Sequence, residues 1–509
     1  YQKGSFYTYP PVHLLLLTVL TLPVWLTGVL RAPSLAPDAV IGELTKVSYM
    51  TAFSLVARLA SVAMSLGIVL GIFLIGREVW GRRTGIAAAV VVSTNVIFNY
   101  YSHTSNLDVP YLFWAIFALL ALTRAIQRRE PRRLRTFAAL AALSVCTKDQ
   151  AFALFLFAAP LLLLLWVATD ADLRARWREL LRESALAAVI AASMVLVIDG
   201  ALLNPSGFRA RIHFLTGPAS QGHAVYERSF AGVVAVLLDT LRFFDRYYPI
   251  LFLLLAASGI LVALRRPAQQ KIAALVPLAA MASFTLAFNC SAGRTEHRFL
   301  LPQMLLVALY VGLGWEAFLS IRDPRVWRPL SAALLIWALY RCASVDASLL
   351  DDPRYQAEAW MQTEMRPGDS VETYGNDAYL PRFPEGIEVA RVGPQSLGGR
   401  SRVPGIREVQ GEYADAEQRR PRYIVVSEGW AWRYLTEPVA SPRFGTVLAP
   451  EQAARETDER TRTFFRRLVN DSPEYHVALV ARRASGFWLP VDIHSSTDKP
   501  IWILRRADL

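Results

Sequence analysis

Two halves of different character show in the apolar and polar positions. Up to residue 345, long apolar runs alternate with short polar breaks; residues 346–509 have the mixed pattern of a water-soluble chain. A membrane-crossing helix needs about 20 mostly apolar residues. Runs of that kind lie at 55–76, 85–101, 110–126, 150–168, 184–201, 248–264, 272–290, 299–318 and 329–345. Residues 136–147 form a shorter run, counted here as a span. Residues 11–30 form another, interrupted by Pro23 and expected to lie in the membrane interface. The segment Leu241–Tyr248, LRFFDRYY, has the look of an interfacial amphipathic helix. The pattern thus predicts an α-helical polytopic membrane protein of about 10–11 hydrophobic helices over residues 1–345. A C-terminal α/β domain is predicted over 346–509, with strands at Tyr423–Val426 and Tyr475–Val480 and helices at Ala357–Met365 and Thr463–Leu468.

Charge gives the runs a direction. Arginine-rich breaks follow alternate runs, at 77–83, 124–135, 174–182, 265–271 and 322–328. The breaks between them are poor in basic residues: 102–109 has none, 148–149 has Lys148, and 291–298 has Arg294 and Arg298. The positive-inside bias places the arginine-rich breaks in the cytoplasm and the C-terminal domain outside it. This alternation requires 136–147 to be a span. The 54 Lys and Arg exceed the 42 Asp and Glu by twelve, yet they sit in separate breaks, not in the single stripe of a nucleic-acid binder. No nucleic-acid partner is expected. With 54% hydrophobic and 19% charged residues, the composition excludes a soluble enzyme. Five lysines against forty-nine arginines point to a GC-rich bacterial genome, hence to a bacterial inner membrane.

The candidate chemistry lies in the breaks predicted to be outside. Asp108 opens an apolar run, where an ionisable residue is by default functional, although Asp before Pro110 also suits a helix N-cap. Lys148 follows a short run and could contact a phosphate or snorkel to the interface. Arg298, beside His297, could hold a phosphate with its planar fork or merely anchor a helix end. Glu296 is placed to orient Arg298. Tyr100, Tyr101 and His103 could line a sugar site, or simply mark the interface. His103, His213 and His223 have no metal-type spacing, so no metal is required, with a divalent ion left open. Cys146, Cys290 and Cys342 form no CxxC pair and read as small buried hydrophobes. No P-loop or GxGxxG is present for a nucleotide sugar.

An ordered set of short motifs resembles the GT-C glycosyltransferases, in the bacterial branch related to protein O-mannosyltransferases and lipid A aminoarabinose transferases. The set is Tyr9-Pro10-Pro11, Ala57-Arg58-Leu59, Gly76–Arg83, Tyr100-Tyr101-Ser102, Asn106–Pro110, Thr147-Lys148-Asp149 and Glu296–Pro302. The resemblance covers most of residues 1–345. It implies an inverting transferase that takes a sugar from a polyprenyl-phosphate donor to a glycan, lipid or protein acceptor outside the membrane. It implies roles for Asp108 in catalysis, and for Lys148, Arg298, His297 and Tyr9 around the donor phosphate. Tyr9 stands where the family often carries lysine. The family's principal carboxylate usually precedes the Tyr-Pro-Pro element, and Tyr1–Thr8 holds no Asp or Glu, so that residue and a first span are expected upstream of Tyr1. Two other readings stay open: a lipid-linked saccharide flippase, which would call for charges within spans and broken helices, and an inactive scaffold of the same fold.

Overall fold

The computed structural model describes residues 9–217, 224–321, 324–397, 403, 405–435, 458–470, 472–483, 488–491, 493 and 497–508. Two compact units are present, the first running to Cys342 and the second beginning at Ala343.

The first unit is helical. It opens with α1 (Val12–Arg31), α2 (Pro37–Leu44), α3 (Val47–Trp80), α4 (Arg82–Ser93), α5 (Val96–Ser102), α6 (Asp108–Arg128) and α7 (Arg133–Val145). A 3₁₀ turn (Asp149–Leu154) leads to α8 (Ala158–Thr169), α9 (Ala171–Ala175), α10 (Trp177–Ile198) and α11 (Pro205–Thr216). Then come α12 (Phe230–Arg242), α13 (Phe244–Tyr247), α14 (Leu251–Leu264), α15 (Ala268–Phe284), α16 (His297–Ile321) and α17 (Pro324–Leu350). Among the described residues, eight helices are long and apolar enough to cross a membrane, or ten if two bent pairs each count as one span. The protein is a multi-pass membrane protein.

Burial ranks these helices. The apolar window of α16 is 94% buried and that of α6 78%, against 11% for α10 and 17% for α1. α16 and α6 are therefore the interior of the bundle, while α1 and α10 turn most of their surface to lipid. Glycine lets α14 close up on α16. A Cβ on Gly259 of α14 would run into the Tyr310 carbonyl of α16, and one on Gly314 of α16 into the Leu255 carbonyl. Small residues at a membrane helix contact let two backbones approach where lipid gives no hydrophobic drive.

Four sequence expectations change. Residues 11–30 do not break at Pro23: α1 is one 20-residue helix with the length and hydropathy of a span. The run 85–101 is broken, with α4 and α5 meeting at 71°, and the Asn95 side chain caps α5 by accepting from the Phe98 N–H. The 136–147 run becomes the 13-residue α7, about 20 Å long at 1.5 Å per residue and short of the ~30 Å hydrocarbon core. LRFFDRYY is not one amphipathic helix: it spans the end of α12, the short α13 and the bend after it, with Phe244, Tyr247 and Tyr248 buried and Arg242, Asp245 and Arg246 exposed. The three rings bury more apolar area than the flanking Arg242 and Arg246 would suggest. The chain bends there by 116° between α12–α13 and α14.

The second unit contains α18 (Pro353–Glu364), β1 (Ser370–Thr373), β2 (Glu388–Gly393), β3 (Ile406–Gln410), α19 (Ala416–Arg419), β4 (Tyr423–Ser427), α20 (Glu428–Leu435), α21 (Glu459–Asn470), β5 (Tyr475–Ala481) and β6 (Ile501–Arg506). The sheet order is β3-β2-β1-β4-β6-β5. The first four strands are parallel, and β6 is antiparallel to both of its neighbours. Residues of β4 alternate between two cores. Ile424 and Val426 meet Trp430, Phe465 and Tyr374 on one face; Tyr423 and Val425 meet Ala357 and Met361 of α18 on the other. Both faces of β4 are covered, which is why its sequence is apolar throughout.

Candidate active site

The site begins with a hairpin of helices. α7 returns along α6, so the first residue of α6 and the turn after α7 meet at one end of the bundle. There Lys148 Nζ donates to Asp108 Oδ1 at 2.6 Å, with Lys148 only 7% and Asp108 2% exposed. The two lie 40 residues apart in sequence. Asp108 does not cap its helix: Leu107 holds the N-cap position, and Asn106 Oδ1 accepts from the Asp108 N–H at 2.8 Å. The carboxylate is spent on the lysine. Below the pair, Tyr111 is fully buried and its hydroxyl accepts from Gln150 Nε2 at 3.0 Å. The Lys148 ammonium faces the Tyr111 and Phe299 rings at 5.6 and 5.8 Å. A buried ion pair is stable only when geometry and extra polar contacts offset the lost hydration.

The start of α16 supplies the guanidinium groups. Arg294 and Arg298 stack on Phe299 at 4.5 and 4.8 Å, and both act electrostatically on Lys148. Glu296 pairs with Arg294 at 2.5 Å and more loosely with Arg298 at 3.5 Å. Tyr101 lies within electrostatic reach of Asp108, Arg298 and Glu296. His297 Nε2 accepts from the Arg246 guanidinium, and the His297 carbonyl accepts from the Tyr247 hydroxyl. A π-helical turn at Thr285–Cys290 fixes this loop. It turns Asn289 inward, so that Nδ2 donates to the Arg294 and Phe299 carbonyls at 2.9 and 3.0 Å while Oδ1 accepts from Gln303 at 2.6 Å.

The structure thus gathers Asp108, Lys148, Tyr101, Glu296, His297 and Arg298. Tyr100 stands against Tyr101, ring centroids 5.1 Å apart. His103 is exposed, with Nδ1 2.9 Å from the Asn99 carbonyl. Tyr9 is also exposed, at 45%, and has no side-chain hydrogen bond or ion pair among the described residues. Its neighbour Val12 nevertheless donates its N–H to the Cys146 carbonyl at 3.0 Å, which brings the start of α1 beside the Lys148 turn. Among the described residues, no group of three His, Cys, Asp or Glu could hold a metal. His223 and Arg322 lie outside the described residues.

Sequence reading missed four members. Arg294 was counted only as part of a break. Arg246 and Tyr247 were assigned to an interfacial helix. Arg211 of α11, 2% exposed, reaches Asp149 at 2.5 Å, so adjacent residues of Thr147-Lys148-Asp149 are held by different partners. A single buried arginine on an otherwise largely exposed helix carries no local signal of its partner.

The opposite end of the bundle holds another set of arginines. Arg128 grips both oxygens of Glu78 at 2.7 and 2.8 Å, Arg129 pairs with Asp170 and Asp172, and Arg135 grips Glu183 at 2.6 and 2.8 Å.

Residues 41–198 match the family model described as dolichyl-phosphate-mannose-protein mannosyltransferase. This stretch is similar to that family. It includes Asp108, Lys148 and all of the α6–α7 hairpin, in agreement with the resemblance read from the motifs. Among solved structures, the chain is similar to ArnT from Cupriavidus metallidurans in the apo state, at 15% identity over 83% of each chain and a TM-score of 0.46. It is similar to the same protein bound to undecaprenyl phosphate, at 14% identity over 82% of this chain and 93% of that one, TM-score 0.44. It is also similar to the Archaeoglobus fulgidus oligosaccharyltransferase in complex with Zn and sulfate, at 15% identity over 85% and 61%, TM-score 0.42. No curated protein matches the chain.

Proposed function

We propose that the first unit is a glycosyltransferase that moves a sugar from a polyprenyl-phosphate donor to an acceptor hydroxyl on the outer side of a bacterial inner membrane. In this reading the second unit is also outside. The observation that carries it is the buried Asp108–Lys148 pair, set among aromatic rings beside Arg294 and Arg298 at one end of a lipid-facing bundle. The mannosyltransferase match over 41–198 supports the same chemistry.

The reaction needs a base, a sugar carbon and a leaving group that can carry charge. The acceptor hydroxyl gives its proton to the general base as its oxygen bonds to the anomeric carbon, the bond from that carbon to the phosphate oxygen breaks, and the phosphate takes the electron pair. An ammonium has three donors, so Lys148 can keep Asp108 and still turn N–H groups toward a phosphate. Arg298, 39% exposed and only loosely tied to Glu296, can present its fork to the same group. The phosphate charge then develops against cations already in place. Asp108 positions Lys148 and the sugar.

The test is release of polyprenyl phosphate by the full chain in detergent, given lipid-linked sugar and acceptor. Arg298→Ala should weaken donor binding about ten- to a hundredfold, the worth of roughly 1.5–3 kcal/mol for a hydrogen bond to a charged group. Lysine at that position should restore part of it. Asp108→Asn should lower turnover at least about tenfold, because the Lys148 ammonium would no longer be held by a charged acceptor. Turnover with a nucleotide sugar alone would sink the mechanism; full activity of Asp108→Asn would remove that residue from it.

The two bent helix pairs favour a second reading, translocation of a lipid-linked saccharide, because broken helices build such paths. A flippase moves the intact donor between leaflets and releases no polyprenyl phosphate, so the same assay separates the two.

A further inference from the structure

The second unit has a groove of its own. It is a cavity of about 390 Å³ between α19, α21 and the start of β5, within the roughly 300–1,000 Å³ range of small-molecule sites. Phe464, Leu468 and Tyr475, all buried, make an apolar floor. The walls are polar: Glu417 and Gln418 from α19, and Glu459, Arg460, Thr463 and Arg467 from α21. Two carboxylates and two guanidinium groups leave the lining with no net charge.

Arg460 is held by Asp415 at 2.7 Å, but the other wall groups are looser. Arg467 stands 3.8 Å from Glu417 and 3.7 Å from Glu474, beyond hydrogen-bonding range of both. Neither the Gln418 amide nor the Thr463 hydroxyl makes a side-chain hydrogen bond among the described residues, and both residues are exposed. Donors and acceptors therefore alternate around an apolar floor without closing on each other. An anion entering the groove would meet Glu417 and Glu459, and a cation would meet Arg460 and Arg467. A ring bearing several hydroxyls suits both sets: each hydroxyl donates to a carboxylate or amide oxygen and accepts from a guanidinium or amide N–H. Its C–H face has Phe464 and Tyr475 to lie on.

We infer that this groove binds a neutral saccharide, of one or two rings. The inference does not rest on the transferase reading, since the groove lies wholly within the second unit. Both could hold, or either could fail alone.

The experiment is saturation-transfer NMR on the full chain in a sugar-free zwitterionic detergent. The probes are neutral oligosaccharides of glucose, mannose and N-acetylglucosamine. Transfer to the ring protons of at least one is expected. Arg467→Ala and Gln418→Ala should each weaken binding about tenfold, as for one hydrogen bond with a charged or amide partner. Thr463→Trp, which fills the groove from an exposed position, should abolish it. No transfer to any probe would overturn the inference. So would transfer unchanged in Thr463→Trp, or displacement of the sugar by an equal concentration of sodium sulfate, which would mark an anion site. Polyprenyl phosphate release, measured on the same preparations, reports separately on the membrane site.

Discussion

At one end of the bundle, Arg128 reaches Glu78 across a contact whose arginine is 44% exposed; at the other, Lys148 and Asp108 face each other with almost no exposure. The first end carries more charges, and the second carries fewer at higher cost. The exposed Arg128 guanidinium is screened by water and salt and contributes little, so exchanging it should have small consequence. A pair out of water holds its partners to each other, because removing one leaves a charge with neither water nor counterion. The number of arginines in a break therefore says where the chain turns, and what marks the other end is a pair buried on both sides, Lys148 as well as Asp108. Phe299 sharpens the contrast, since Lys148, Arg294 and Arg298 all gather on one ring.

The contrast can be broken by single substitutions, read by thermal unfolding of the full chain in detergent. The largest effect is expected for Lys148→Ala, which strands Asp108: about 3–5 kcal/mol less stability. Adding Asp108→Asn should return much of that. A deficit no greater than that of an arginine-end variant would mean water reaches the pair, and the contrast would collapse.

Tyr111→Phe is next. It removes the acceptor of the Gln150 amide, 7% exposed, and should cost about 1–3 kcal/mol. An unchanged melting temperature would show that Gln150 finds another partner and that the floor of the site is adaptable. Glu78→Gln should cost least, below about 1 kcal/mol, and its small effect should disappear in 1 M salt. The Lys148→Ala deficit should persist at that salt. Equal salt sensitivity at both ends would refute the difference in burial.

Much of this was legible in the sequence. The long apolar runs became helices, and Tyr423–Val426 and Tyr475–Val480 became strands, because period and length carry those signals directly. Asp108, Lys148 and Arg298 stood out singly, as ionisable residues next to apolar runs. Their partnership was not legible, since it depends on α7 folding back along α6 and on α16 starting at the same end. Lys148 read as a phosphate contact or an anchor, and neither reading included Asp108. The 71° break at Thr94–Asn95 also escaped, because Thr and Asn disturb an apolar average too little to interrupt it. In LRFFDRYY two arginines suggested a wet surface, while the burial was decided by the aromatic rings beside them.

The π-helical turn at Thr285–Cys290 makes the segment intolerant of a change in length. A π turn amounts to one extra residue set into an α-helix. Deleting any one of residues 285–288 would let the segment relax to ordinary helical winding and rotate Asn289 by about 100°, the step of a 3.6-residue turn. The Arg294 and Phe299 carbonyls would then lose the amide that ties them. Helix α16 would still form, but the loop ahead of it would no longer be indexed to the lysine. Point substitutions along 285–288 should be accepted far more readily than a single deletion, so relatives that work the same way are expected to differ here in letters and not in length.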